Sequence, residues 1–176
     1  MFELFKTEHK GLGSVVEVSI DYSAQQIKRQ YKENGITCNG NETQVKKQDI
    51  DNFFQNEVYW LNKLQGEWIP KTLNIDMHTQ TIIQEYTGPN LLYQKNNLPE
   101  NIVEQVIEMY KFFKDKNVFK RNGSMSNLTL KGNKLIAFDF KWAKKRPEGL
   151  DMEIKSYNDW LSKIDKNLTN TLKEML

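Results

Sequence analysis

The chain has 176 residues, 38% of them hydrophobic and 27% charged, which is enough apolar material for a core in one domain or two small lobes. Its 25 basic and 23 acidic residues leave a net charge of +2, and only Arg29, Arg121 and Arg146 are arginines; a nucleic-acid reader carries a clearer, Arg-rich positive excess. The lone Cys38 excludes an internal disulfide and a cysteine-based zinc cluster.

The opening "MFELFKTEHKGLG" lacks the apolar core of a secretory signal, and no run approaches the ~18 apolar residues of a membrane helix. The chain therefore reads as cytoplasmic, with no membrane partner. "SVVEVSI" at 14–20 sets Val16 and Val18 on one side of a strand, and "AQQIKRQY" at 24–31 reads as the return strand of a hairpin. Residues 33–44, "ENGITCNGNETQ", are polar and turn-rich and read as a loop. A helix is expected over 49–64, where Phe53, Phe54, Val58, Leu61 and Leu64 recur at three- and four-residue spacing. Asp49 and Asp51 suit its N-terminal dipole. "TLNID" and "TQTIIQEY" read as two strands around a turn at 77–79.

"TGPN" at 87–90 breaks the pattern and sets the best internal boundary. It divides the chain into 1–86 and 87–176, with a hinge at about 85–89. The next helix is expected over 99–116, with Ile102, Val103, Val106, Ile107, Tyr110 and Phe113 on its apolar face. Two short strands, "LTL" and "KLIAF", follow; "AKKRPEGLD" reads as a loop and 152–176 as one or two final helices. The expected fold class is α+β.

Several polar residues are ordinary one by one. Gly11 and Gly13 would let backbone N–H groups approach a phosphate, or would simply begin a strand loosely. Lys28 is one lysine among many, and Glu57 reads as a residue at the edge of a helix's apolar face. Their order is less ordinary. A Lys on an early strand, a Glu on the next helix, "KRNGSMSN" at 120–127 after a later helix and "FDFKWA" at 138–143 after a strand resemble protein-kinase-like phosphotransferases. "KRNGSMSN" resembles the family's H-R-D-x-x-x-x-N loop, and "FDFKWA" its D-F-G region and the D-F-x-x-A form common in atypical and small-molecule kinases. "FFQNEVYWLNKL" resembles the helix that supplies the Glu, and "TIIQEYTGPNLL" the strand leading into the hinge.

The resemblance implies two lobes, one β-rich and one shortened and mainly helical, with ATP and Mg²⁺ in the cleft between them. Lys28 would hold the α- and β-phosphates, fixed by an ion pair with Glu57. Asp139 and Asn127 would ligate Mg²⁺, a hard cation that takes oxygen donors. Adenine would meet the carbonyl of Glu85 and the N–H of Thr87, with Gly11 and Gly13 covering the phosphates. Asp159 would stand in for the buried Asp that supports the catalytic loop.

The departures from the family pattern are specific. Val16 replaces the third glycine, Lys120 the loop's His, and Lys141 the Gly after Asp-Phe. Asn122 stands where the family has the Asp that takes the acceptor hydroxyl's proton, and an amide is no base near pH 7. That fits a pseudokinase, an Asp-to-Asn replacement, an Asn-Gly pair prone to deamidation, or a plain turn. The expected function is Mg-ATP binding with phosphoryl transfer to a hydroxyl acceptor. The alternatives are a pseudokinase working through nucleotide or protein binding, and an α+β domain that binds no nucleotide.

Overall fold

The computed structural model describes residues 1–4, 14–36, 42–44, 46–94, 96–121 and 123–147, together with 157, 159, 161 and 162. Gly11, Gly13 and Asn122 lie outside the described residues, as does most of the expected final helix. The fold is α+β. It divides into two compact units, Met1–Leu61 with Pro70–Tyr86, and Asn62–Ile69 with Thr87–Leu176.

The first unit is built on a six-stranded sheet. Strands β1 (Glu3–Leu4), β2 (Ser14–Asp21) and β3 (Gln26–Ile36) run in chain order, β4 (Glu42–Gln44) pairs the far end of β3, and β5 (Thr72–Asp76) and β6 (Thr81–Glu85) complete the sheet in the order β1-β2-β3-β6-β5. All of these pairings are antiparallel. The segment 33–44 is therefore not simply a loop. β3 continues to Ile36, and Asn34 and Ile36 lie opposite Gln44 and Glu42. Pairing with β4 satisfies backbone groups that the polar, turn-rich composition gave no reason to expect in a ladder. The β5–β6 turn is closed by Asp76, whose Oδ1 accepts the N–H groups of His78 and Thr79 at 2.9 and 3.1 Å.

Between β4 and β5 lies helix α1 (Lys47–Lys63), which begins two residues before the expected start. Its buried stripe is Ile50, Phe54, Glu57, Trp60 and Leu61, while Phe53 and Val58 are only half-buried. Glu57 thus occupies the middle of the buried face, not its edge. The residues after α1 pack within the second unit: the Ala137 N–H donates to the Trp68 carbonyl at 2.8 Å, and Lys134 sits 3.4 Å from the Trp68 ring centroid.

Among the described residues the second unit contains a short helix α2 (Leu91–Gln94), helix α3 (Ile102–Asp115) and four short strands. α3 begins three residues later than expected; Pro99 instead offers its carbonyl to the Ile102 N–H at 3.1 Å. Its buried face holds every expected apolar residue plus Gln105 and Met109. Strands β8 (Leu128–Lys131) and β9 (Lys134–Ala137) form an antiparallel hairpin, Leu128 opposite Ala137. A further pair, β7 (Val118–Phe119) with β10 (Lys144–Lys145), places two residues of the expected 143–151 loop in a ladder. At the start of this unit Gly88 has φ +113, and a Cβ there would come within 3.1 Å of the Leu130 carbonyl oxygen, so this position needs glycine on both counts.

Candidate functional site

In the first unit the chemistry gathers on β3 and α1. Successive strand residues face opposite sides of a sheet, so Lys28 and Arg29 cannot both meet the helix. The helix side is that of Arg29 and Tyr31: Tyr31 packs edge-on against Phe54 of α1 with centroids 5.5 Å apart. Arg29 Nη1 and the Tyr31 hydroxyl both donate to the carboxylate of Glu57. The side chain of Glu57 is 0% exposed and that of Arg29 6%. A buried carboxylate is tolerable only when its charge is matched and its oxygens accept hydrogen bonds, and here each oxygen has a donor.

The ion pair expected between Lys28 and Glu57 is therefore made by Arg29 instead. Lys28 lies on the other face, opposite Ser19 on β2 and Ile83 on β6, with its ammonium 5.4 Å from the Phe2 ring centroid. Arg29 and Tyr31 were missed by sequence reasoning. The available signal was residue type: a planar guanidinium is the cation suited to a buried carboxylate, whereas an ammonium keeps its water more tightly.

At the end of β6, Glu85 Oε1 accepts the Lys71 N–H at 3.0 Å. Thr87 begins the longer segment of the second unit, and its carbonyl accepts the Thr129 hydroxyl at 3.3 Å; the same hydroxyl lies 2.8 Å from the Pro89 carbonyl.

The second unit brings Asn127 and Asp139 to one end of the β8–β9 hairpin. Asn127 closes a single 3₁₀ turn, is 7% exposed, and accepts the Phe138 N–H on its carbonyl at 3.1 Å. Asp139 follows with φ +64, a left-handed conformation that Asp adopts more readily than most residues. Phe140 then enters the core, fully buried, edge-on to Phe113 with centroids 6.0 Å apart. Lys120, 1% exposed, lies 5.3 Å from the same ring, where the aromatic face offsets part of the cost of burying its charge. Hairpin on one side and buried Phe140 on the other hold Asp139 in place. Asp159 is exposed, which removes it as a buried support for the 120–127 loop.

Mg²⁺ is the metal these oxygen donors would suit by type. Among the described residues no group of three or more His, Cys, Asp or Glu side chains comes together, although Mg²⁺ often needs only one or two protein carboxylates. Lys141 decides the fit. Its ammonium lies 2.5 Å from Asp139 Oδ2, with the two side chains 15% and 13% exposed. Asp139 Oδ1 is itself buried, and Oδ2 is the oxygen that Lys141 holds. The arrangement does not fit a divalent ion on Asp139.

The chain matches no protein-family model, and no curated protein is similar enough to it to count as a relative. Among the described residues no helix is long and apolar enough to cross a membrane.

Proposed function

We propose that this chain is a minimal kinase-like module that binds ATP and transfers its phosphoryl group slowly or not at all. The observation that carries the reading is the order of elements that bear the chemistry. β3 carries Lys28 and Arg29, α1 carries Glu57, two strands lead to the unit boundary at 86/87, and α3 precedes the 120–127 loop. The β8–β9 hairpin then runs into Asp139. That is the succession in which a kinase-like phosphotransferase deploys its parts.

Within this reading each residue has a limited task. The Arg29–Glu57–Tyr31 cluster fixes α1 against the sheet, so the strand that carries Lys28 is held rigidly. The backbone at Glu85 and Thr87 would meet adenine, and Asn127, Asp139 and Lys141 would face the phosphates. Asn122 cannot accept the proton of an attacking hydroxyl, and general-base help of this kind is worth about 10²–10⁴ in rate. Binding thus outlasts catalysis in this chain, which favours a pseudokinase over an efficient kinase. The acceptor of an active form would be a hydroxyl.

Thermal denaturation with and without millimolar ATP tests the binding. A ligand at 100 times its Kd adds about 2.7 kcal/mol of stability, and the absence of any shift would sink the reading. Asn122→Asp assayed beside the unchanged chain for ATP hydrolysis and autophosphorylation then tests the catalytic assignment; phosphoryl transfer appearing only in the variant supports it.

A further inference from the structure

We propose that the Lys141 ammonium occupies the place a divalent cation takes in the kinases this chain resembles, so that the triphosphate binds without Mg²⁺. The inference rests on the nucleotide-binding reading above and deepens it. Three observations converge on it. Lys141 Nζ donates to Asp139 Oδ2, a charge-assisted hydrogen bond between an ammonium and a carboxylate. The other carboxylate oxygen is sealed from solvent, so an incoming cation would have to displace the ammonium from the oxygen it already holds. The pair is also fixed on both sides: Asp139 by the hairpin end and its left-handed backbone, and Lys141 by the turn in which the Ala143 N–H donates to the Phe140 carbonyl at 2.9 Å.

Both side chains are mostly buried, and a charge that loses its partner in such a place is costly. Expelling Lys141 in favour of Mg²⁺ would leave an ammonium to be rehoused. An ammonium has three donors, one of which is directed to Asp139, so the same group can bridge the carboxylate and a phosphate oxygen, as a metal ion would. Glycine, which the D-F-G form of the resembled family places here, could not do this. The change from Gly to Lys141, a mere departure in the sequence, thereby acquires a function.

The test is calorimetric titration of ATP into the full chain, in EDTA and in excess Mg²⁺, repeated with Lys141→Met and Lys141→Gly. The expected result is an affinity in EDTA within about 3-fold of that in Mg²⁺ for the unchanged chain. Either variant should lose about 10-fold or more in EDTA. Binding of the unchanged chain that drops by about 10-fold or more in EDTA overturns the inference while leaving the nucleotide reading intact. Failure to bind ATP in both media overturns that reading and this inference with it. The EDTA–Mg²⁺ comparison on the unchanged chain does not depend on either variant folding.

Discussion

Arg29 donates to the carboxylate of Glu57 from a strand position 28 residues earlier in the chain, and the pair is closed off from water. Removing one partner leaves the other as an uncompensated buried charge. Glu57→Ala should therefore destabilise the protein by about 3–5 kcal/mol, measured by urea unfolding. The double replacement Arg29→Met with Glu57→Leu should recover much of that loss, because no orphaned charge remains. Lys28→Ala, on the opposite face, should stay within about 0.5 kcal/mol. A large loss for Lys28→Ala beside a small one for Arg29→Ala would show that the helix meets the other face of the strand.

Gln105 ties α3 to the hairpin. Its Nε2 donates to the Asn133 carbonyl at 2.8 Å and to Asn101 Oδ1 at 2.9 Å, while its Oε1 accepts the Leu135 N–H at 2.7 Å. The residue is 5% exposed, so Gln105→Leu would keep the volume and strand the Leu135 N–H. A loss of about 1–3 kcal/mol in thermal or urea unfolding is expected. A neutral result would mean that water replaces the amide.

Gly132, at the tip of the hairpin, has φ +60, and a Cβ added there would meet nothing within 4 Å. Asn133 beside it has no positive φ, so only the first central residue is left-handed, the II′ pattern that favours Gly. Gly132→Ala should cost about 1–2 kcal/mol from backbone strain alone. Gly132→Asn should cost less, since Asn tolerates this conformation better. Equal costs for the two would point to a steric cause instead.

The hydroxyl of Thr79, followed by the backbone N–H groups of Thr79 and His78, holds the Asp76 carboxyl below its usual range. A pKa lower in the folded than in the unfolded state, where it is about 3.9, means a contribution that is complete above that value. It is lost as pH falls through the folded pKa. The stability difference between the unchanged chain and Asp76→Asn should accordingly be constant near neutrality and narrow below about pH 4. Urea unfolding at a series of acidic pH values measures it, and a gap that widens on acidification would contradict the assignment.

Local patterns were legible where one face of one element decides the outcome. Ile102, Val103, Val106, Ile107, Tyr110 and Phe113 mark the buried side of α3 by spacing alone, and all of them are buried there. "TLNID" and "TIIQE" likewise form the two expected strands. Pairing between distant segments was harder to see. Residues 42–44 and 144–145 are polar, and they become strands only because β3 and β7 supply ladder partners. Among the site residues, Glu57 was singled out, but its partner was placed one residue too early.

That single-residue difference separates what the sequence determined from what the tertiary structure decided. A strand alternates its side chains whichever way it lies, so "KR" at 28–29 establishes that one cation faces the helix and the other faces away. Which one does so depends on the side of the sheet that α1 covers, a matter of packing between elements and not of local pattern. Lys141 follows the same logic. Its presence after Asp-Phe was plain in the sequence, but only the left-handed backbone at Asp139 and the burial of Phe140 bring its ammonium onto the carboxylate.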